Sequence, residues 1–278
     1  MGALAQYCLS LVAAFGAAVV SGIELRGAPL ARALDRIDDA VSPLVHRSEV
    51  LVARQKEPRC ARMVVLTTQR TGSTELMRML AELPQMEVTW EAFNMGDGQS
   101  GAHFRKQLGL TVSMVKQLGA TAWASQIFDE LERSSKIRSL PLGSACVVGM
   151  KLMNTDVLFS VSSYEAFLRS PGLQFVILER NDTYAQWVSR QRACWTDEWG
   201  GPDDEAYEQS VKLTTAHIER NEFCGEEPER FFDTYRSALE KQYKAYQALT
   251  RGSRVLRIKT EELSKAPSQI SDFTLRSS

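Results

Sequence analysis

Val64-Val65-Leu66-Thr67-Thr68-Gln69-Arg70-Thr71-Gly72-Ser73-Thr74-Glu75-Leu76 joins a short apolar run, which opens at Met63, to a helix-forming stretch over 75–82. Unbroken apolar residues over one strand length suit a strand buried on both faces. A helix that opens directly behind such a strand leaves free N–H groups and the positive end of its dipole facing one point, which favours an anion there. Gly72 lets the backbone come close to that anion. Thr71, Ser73 and Thr74 add hydroxyl donors, and Arg70 adds charge with a two-pronged hydrogen bond. The same residues also suit a plain capped helix after a strand, since Ser or Thr ahead of Glu is a common helix start.

The alternation continues along the chain. Residues 86–90, 146–150, 175–178 and 254–258 are further strand candidates. Helices are expected across 101–135, over 156–168, from Thr183, and over 203–250 with a break near Gly225 and Pro228. Strands alternating with helices predict an α/β fold with a parallel sheet flanked by helices on both faces, a P-loop-like three-layer arrangement. The turn itself is not a Walker A loop: GxxxxGK[ST] is absent, and Arg70 precedes the glycine where a nucleotide triphosphatase places Lys after it.

The 278 residues carry 33 Lys+Arg against 34 Asp+Glu, a net charge of -1, which argues against nucleic acid as a partner and requires a local basic site for any anionic ligand. A hydrophobic fraction of 44% suits one large core and excludes long disorder. The cysteines Cys8, Cys60, Cys146, Cys194 and Cys224 form no CxxC pair and have no His at zinc-finger spacing, so no structural zinc is expected. Cys146 opens an apolar run and reads most simply as a buried thiol, while Cys194 and Cys224 could pair in an oxidising compartment.

Residues 1–23 hold no charged side chain and are long enough for a membrane anchor or signal segment, although no basic region precedes them. Arg26, Arg32 and Arg36 follow, and the positive-inside rule would place that flank in the cytosol. A packed Ala-rich helix is the other reading. Residues 24–60 read as a stem or linker, and the domain proper as 61–278.

The segment Arg70-Thr71-Gly72-Ser73-Thr74-Glu75-Leu76 resembles the 5′-phosphosulfate loop of sulfotransferases that use 3′-phosphoadenosine 5′-phosphosulfate (PAPS), in the carbohydrate and bacterial branch, where R-[ST]-G-[ST]-[ST]-x-L follows a strand. Further blocks agree in order over about residues 62–265. Arg180, at a strand end, and Ser189, on the next helix, match the pair that clasps the cofactor's 3′-phosphate, but at a spacing of nine where the family has eight, with Val188 in the usual place. Val88-Thr89-Trp90-Glu91 matches the segment whose acid serves as base. Gly149-Met150-Lys151-Leu152 resembles G-x-K-[LF]. Residues 254–263 resemble the closing strand and Y-E-x-L, with Thr260 in place of Tyr. A cytosolic-branch catalytic His has no counterpart, since His46 precedes the core and His103 and His217 lie in helical stretches.

The resemblance implies in-line sulfuryl transfer through a loose transition state governed by positioning and charge, with no metal required. Arg70 and the 70–74 amides would hold the 5′-phosphate, Glu91 would take the acceptor's proton, and Lys151 would touch the leaving oxygen or the acceptor. Bland readings stand beside these: a solvated acid for Glu91, a sheet-edge ion pair for Lys151, a surface ion pair for Arg180. Residues 195–205, with two Trp, several acids and Gly-Gly-Pro, suggest a loop over the active face or a capped helix start. The expected acceptor is a hydroxyl on a glycan if the chain is anchored in the secretory pathway (Golgi), or on a small molecule or lipid if it is soluble and cytoplasmic. A different P-loop transferase such as a kinase, and a non-catalytic nucleotide-binding module, are the competing readings.

Overall fold

Five strands, β1 (Ala61–Thr67), β2 (Met86–Thr89), β3 (Val147–Met153), β4 (Leu173–Glu179) and β5 (Arg254–Lys259), pair in parallel in the order β2-β3-β1-β4-β5 in a computed structural model that describes residues 60–96, 99–153, 158–196 and 204–275. The expectations for 1–23, for 24–60 apart from Cys60, and for most of the Trp-rich stretch, 197–203, lie outside the described residues. Among the described residues no helix is long and apolar enough to cross a membrane.

The helices are α1 (Ser73–Ala81), α2 (Ser100–Gln107), α3 (Val112–Glu132), α4 (Ser135–Arg138), α5 (Val161–Leu168), α6 (Thr183–Thr196), α7 (Asp204–Glu219), α8 (Phe232–Leu249) and α9 (Ala266–Leu275), with a 3₁₀ turn over Thr260–Lys265. Strand side chains alternate in direction, so one strand feeds two cores. Met63 and Val65 of β1 pack with Leu76, Met77 and Leu80 of α1 and with Ile270 of α9. Val64 and Leu66 pack with Trp123, Ile127 and Phe128 of α3, Phe167 of α5 and Tyr246 of α8. The sheet is therefore covered on both faces, which explains why β1 and β4 are apolar without alternation. The helix expected over 156–168 is shorter: it begins at Val161, where the Ser160 hydroxyl accepts from the Ser163 amide and caps it.

β1 is the middle strand. From it the chain passes to β2 at one edge, while the connection out of β3 crosses to β4 on the other side of β1. In open α/β sheets ligands bind at the strands' C-terminal ends where connections diverge in this way. The turn after Thr67 lies at that place.

Cys146 is not a free thiol. It bonds Cys60, with the Cα atoms 4.7 Å apart. The cause is strand register: Ala61 pairs with Val147, so the residues just ahead of β1 and β3 stand side by side. Cys194, near the end of α6, bonds Cys224 in the segment between α7 and α8. Non-reducing peptide mapping should recover these two linkages and no others among the four cysteines. Replacing Cys60 and Cys146 together by Ser should lower Tm, because the bridge closes a long loop in the unfolded chain.

Candidate functional site

The turn after β1 is shaped by two left-handed residues. Arg70 has φ 62° and Gly72 φ 75°. Gly72 is also the N-cap of α1, and no side chain caps the amides of that first turn. A Cβ at Gly72 would stand 3.0 Å from Leu263 Cδ1 and 3.3 Å from Thr260 Cγ2, so φ favours glycine and the space beside it is tight. Thr71 is fully buried, and its hydroxyl donates to the Thr68 carbonyl at 3.0 Å and meets the Thr67 hydroxyl. These bonds hold the turn. Ser73 and Thr74 open α1, Ser73 nearly buried and Thr74 exposed.

α6 supplies the next layer. Asp182 caps it, accepting from the Ala185 amide at 2.8 Å, and the helix starts at Thr183. Gln186 and Ser189 lie one turn apart on one face. Gln186, wholly buried, donates to the Thr68 hydroxyl at 2.8 Å and the Gln69 carbonyl at 2.6 Å. Ser189 accepts from Arg70 Nε at 2.9 Å. Val188 packs instead with Trp187, Tyr235 and Leu239 on the far side. The nine-residue spacing from Arg180 thus turns Ser189 toward β1 with no bulge in α6. Arg180 Nη1 donates to the Arg70 carbonyl at 3.3 Å. Arg70, Arg180 and Ser189 form one cluster, with Arg70 at its centre, whereas the family resemblance divides them between two phosphate groups.

Glu91 and Lys151 form a second centre. Lys151, only 2% exposed, shares the sheet face of Val147 and Gly149, the face covered by α1. Its Nζ donates to Glu91 Oε1 at 2.9 Å. Asn94 Nδ2 donates to Glu91 Oε2 at 3.3 Å. Glu91, two residues past the end of β2, has φ 41°, a conformation that L side chains avoid and that this double hold maintains. Each carboxylate oxygen keeps a lone pair for a further donor.

Three contributors are not evident from the sequence pattern. Gln186 is legible in principle, one helical turn before Ser189. Tyr243 and Tyr246 of α8 have no local signal. Tyr243 meets the Thr68 hydroxyl at 3.1 Å, and Tyr246 donates to the Thr67 carbonyl at 3.0 Å. Burial pushes the Tyr243 phenol up to about 12, so it stays protonated in this network. His217 stacks on Trp195 and pairs with Glu222, apart from these residues.

No family model and no curated protein matches the sequence. Among solved structures, a sulfotransferase domain from the curacin biosynthetic pathway is similar at 15% identity, covering 77% of this chain and 73% of that one, with a TM-score of 0.40. Shikimate kinase from Acinetobacter baumannii, in complex with shikimate, is similar at 11% identity, covering 79% and 95%, with a TM-score of 0.35. A sugar kinase from Janibacter sp. is similar at 12% identity, covering 77% and 94%, with a TM-score of 0.30. Likeness at this level does not decide between sulfuryl and phosphoryl transfer, and the functional reading rests on the chain's own residues.

Proposed function

We propose that the chain transfers a sulfuryl group from PAPS to the hydroxyl of a glycan or small molecule. The observation that carries this reading is the convergence of Arg70, Arg180 and Ser189 beside the uncapped first turn of α1. Two arginines and a helix N-terminus suit a ligand with two separated anionic groups, which a 3′-phosphorylated nucleotide supplies. The turn carries Arg70 ahead of Gly72 and no lysine after it, which suits this donor better than a nucleoside triphosphate.

PAPS would supply the activated sulfuryl group and a phosphate leaving group. The first-turn amides of α1 hold the 5′-phosphate end, and the Arg70 guanidinium lies between that end and Ser189. Arg180 and Ser189 take the 3′-phosphate. The acceptor oxygen forms a bond to sulfur as the bond from sulfur to the phosphate oxygen breaks, releasing adenosine 3′,5′-bisphosphate. Glu91 receives the acceptor's proton, and the hydrogen bond from Lys151 keeps its carboxylate aimed. The Cys60–Cys146 and Cys194–Cys224 bridges support folding in an oxidising compartment. They agree with residues 1–23 acting as an anchor or signal segment in the secretory pathway (Golgi), rather than with a soluble cytoplasmic protein.

Ser189→Ala tests the nucleotide assignment. By calorimetry, the affinity for adenosine 3′,5′-bisphosphate should fall by about 1–2 kcal/mol, and that for adenosine 5′-phosphate should not change. Equal losses for both nucleotides would remove Ser189 from a 3′-phosphate site.

A further inference from the structure

The corner between β5 and the 3₁₀ turn touches both halves of the site. Thr260 Oγ1 donates to the Thr71 carbonyl at 2.6 Å and lies 3.1 Å from the Glu179 carbonyl, so one proton is shared between two acceptors. Thr71 immediately precedes Gly72, and Glu179 immediately precedes Arg180. One hydroxyl therefore spans the two backbone points from which the first turn of α1 and Arg180 depart. Its neighbour repeats the arrangement: Glu261 Oε1 accepts from the amides of Asn181, at 3.2 Å, and Asp182, at 3.4 Å. The Asp182 amide belongs to the cap of α6, the helix that carries Ser189. The Thr260 methyl lies on the Cβ side of Gly72, 3.3 Å from where a Cβ would stand. Lys259, paired with Glu179, keeps the β4 and β5 ends together beneath this corner.

We propose that Thr260, supported by Glu261, is a positioning residue that fixes the distance between the two anion-binding halves of the site, so that one ligand with two phosphate groups is held at both. The inference rests on the nucleotide reading above. Two weak anchors act as one strong site only when their separation matches the ligand, because the second contact is then intramolecular. A loosened corner leaves each anchor able to bind a single phosphate but removes the gain from binding both.

The test compares adenosine 3′,5′-bisphosphate, adenosine 5′-phosphate and adenosine 3′-phosphate by calorimetry on the wild-type protein and on Thr260→Val, Thr260→Ser and Glu261→Ala. Val keeps the branched shape and the methyl against Gly72 but has no hydroxyl. Thr260→Val should weaken the bisphosphate about ten-fold and leave each monophosphate within about two-fold. Thr260→Ser should restore the bisphosphate to within about two-fold of wild type, because the hydroxyl returns. Glu261→Ala, at an exposed position, should weaken the bisphosphate alone by about three-fold, and it keeps the inference falsifiable should Thr260→Val fold poorly. An unchanged ratio of bisphosphate to monophosphate affinity in Thr260→Val and Glu261→Ala overturns the inference, as does an equal loss of all three ligands. A wild-type protein that binds the bisphosphate no more tightly than the monophosphates overturns the nucleotide reading itself, and that outcome is seen before any variant is made.

Discussion

Glu91→Gln should lower sulfuryl-transfer turnover by about 100-fold or more while nucleotide binding persists, because Gln keeps the shape of the side chain and loses its basicity. The variant has a second effect that must be separated from the first. Lys151 is almost completely buried, and its ammonium loses its counter-charge when Glu91 becomes neutral. Breaking one side of such a pair typically costs about 3–5 kcal/mol, so Tm should fall as well. Glu91→Gln combined with Lys151→Met removes both charges. That double variant should recover most of the lost stability and none of the turnover. Recovery of turnover in the double variant, or an active single variant, would take the proton-accepting role away from Glu91.

Arg70→Ala should cost about 2–4 kcal/mol of transition-state stabilisation, at least a ten-fold loss of turnover, with the fold intact. The fold should tolerate the change for three reasons. Arg180 bonds the Arg70 carbonyl, which alanine retains. Gln186 holds the carbonyl of the preceding residue. Arg70 already sits at φ 62°, so alanine incurs no new backbone strain there. The guanidinium is lost, and with it the bond to Ser189. The variant should therefore also lose affinity for adenosine 3′,5′-bisphosphate. Wild-type turnover in Arg70→Ala, measured as release of that product, would remove Arg70 from the site.

The central strands β1 and β4 were legible because each holds a short unbroken apolar run, and a strand buried on both faces leaves that trace regardless of its neighbours. Residues 63–66 lie within β1 and 175–178 within β4, each with the expected character. The turn after β1 was legible for a related reason: a glycine with φ near 75° at a helix start is dictated locally. What stayed hidden depended on residues far apart in sequence. The bond between Cys60 and Cys146 follows from β1 and β3 lying side by side, a fact of strand order that no local pattern carries. The same holds for Tyr246 on the Thr67 carbonyl, 179 residues away, and for Thr260 on that of Thr71, 189 residues away. The spacing from Arg180 to Ser189 gave the opposite difficulty. It looked displaced by one residue, and only the face shared by Gln186 and Ser189, with Val188 turned into an aromatic cluster, gives the nine-residue count a physical meaning.

In the proposed function, two phosphate-binding halves at the C-terminal edge of the sheet serve a 3′-phosphorylated adenosine nucleotide. Ligand-induced thermal stabilisation tests it most directly, because a ligand that binds only the folded chain raises Tm in proportion to its affinity and concentration. Adenosine 3′,5′-bisphosphate at saturating concentration should raise Tm, and ATP with Mg²⁺ at the same concentration should leave it unchanged. A shift with ATP and Mg²⁺ and none with the bisphosphate would contradict the account and identify the site as that of a kinase.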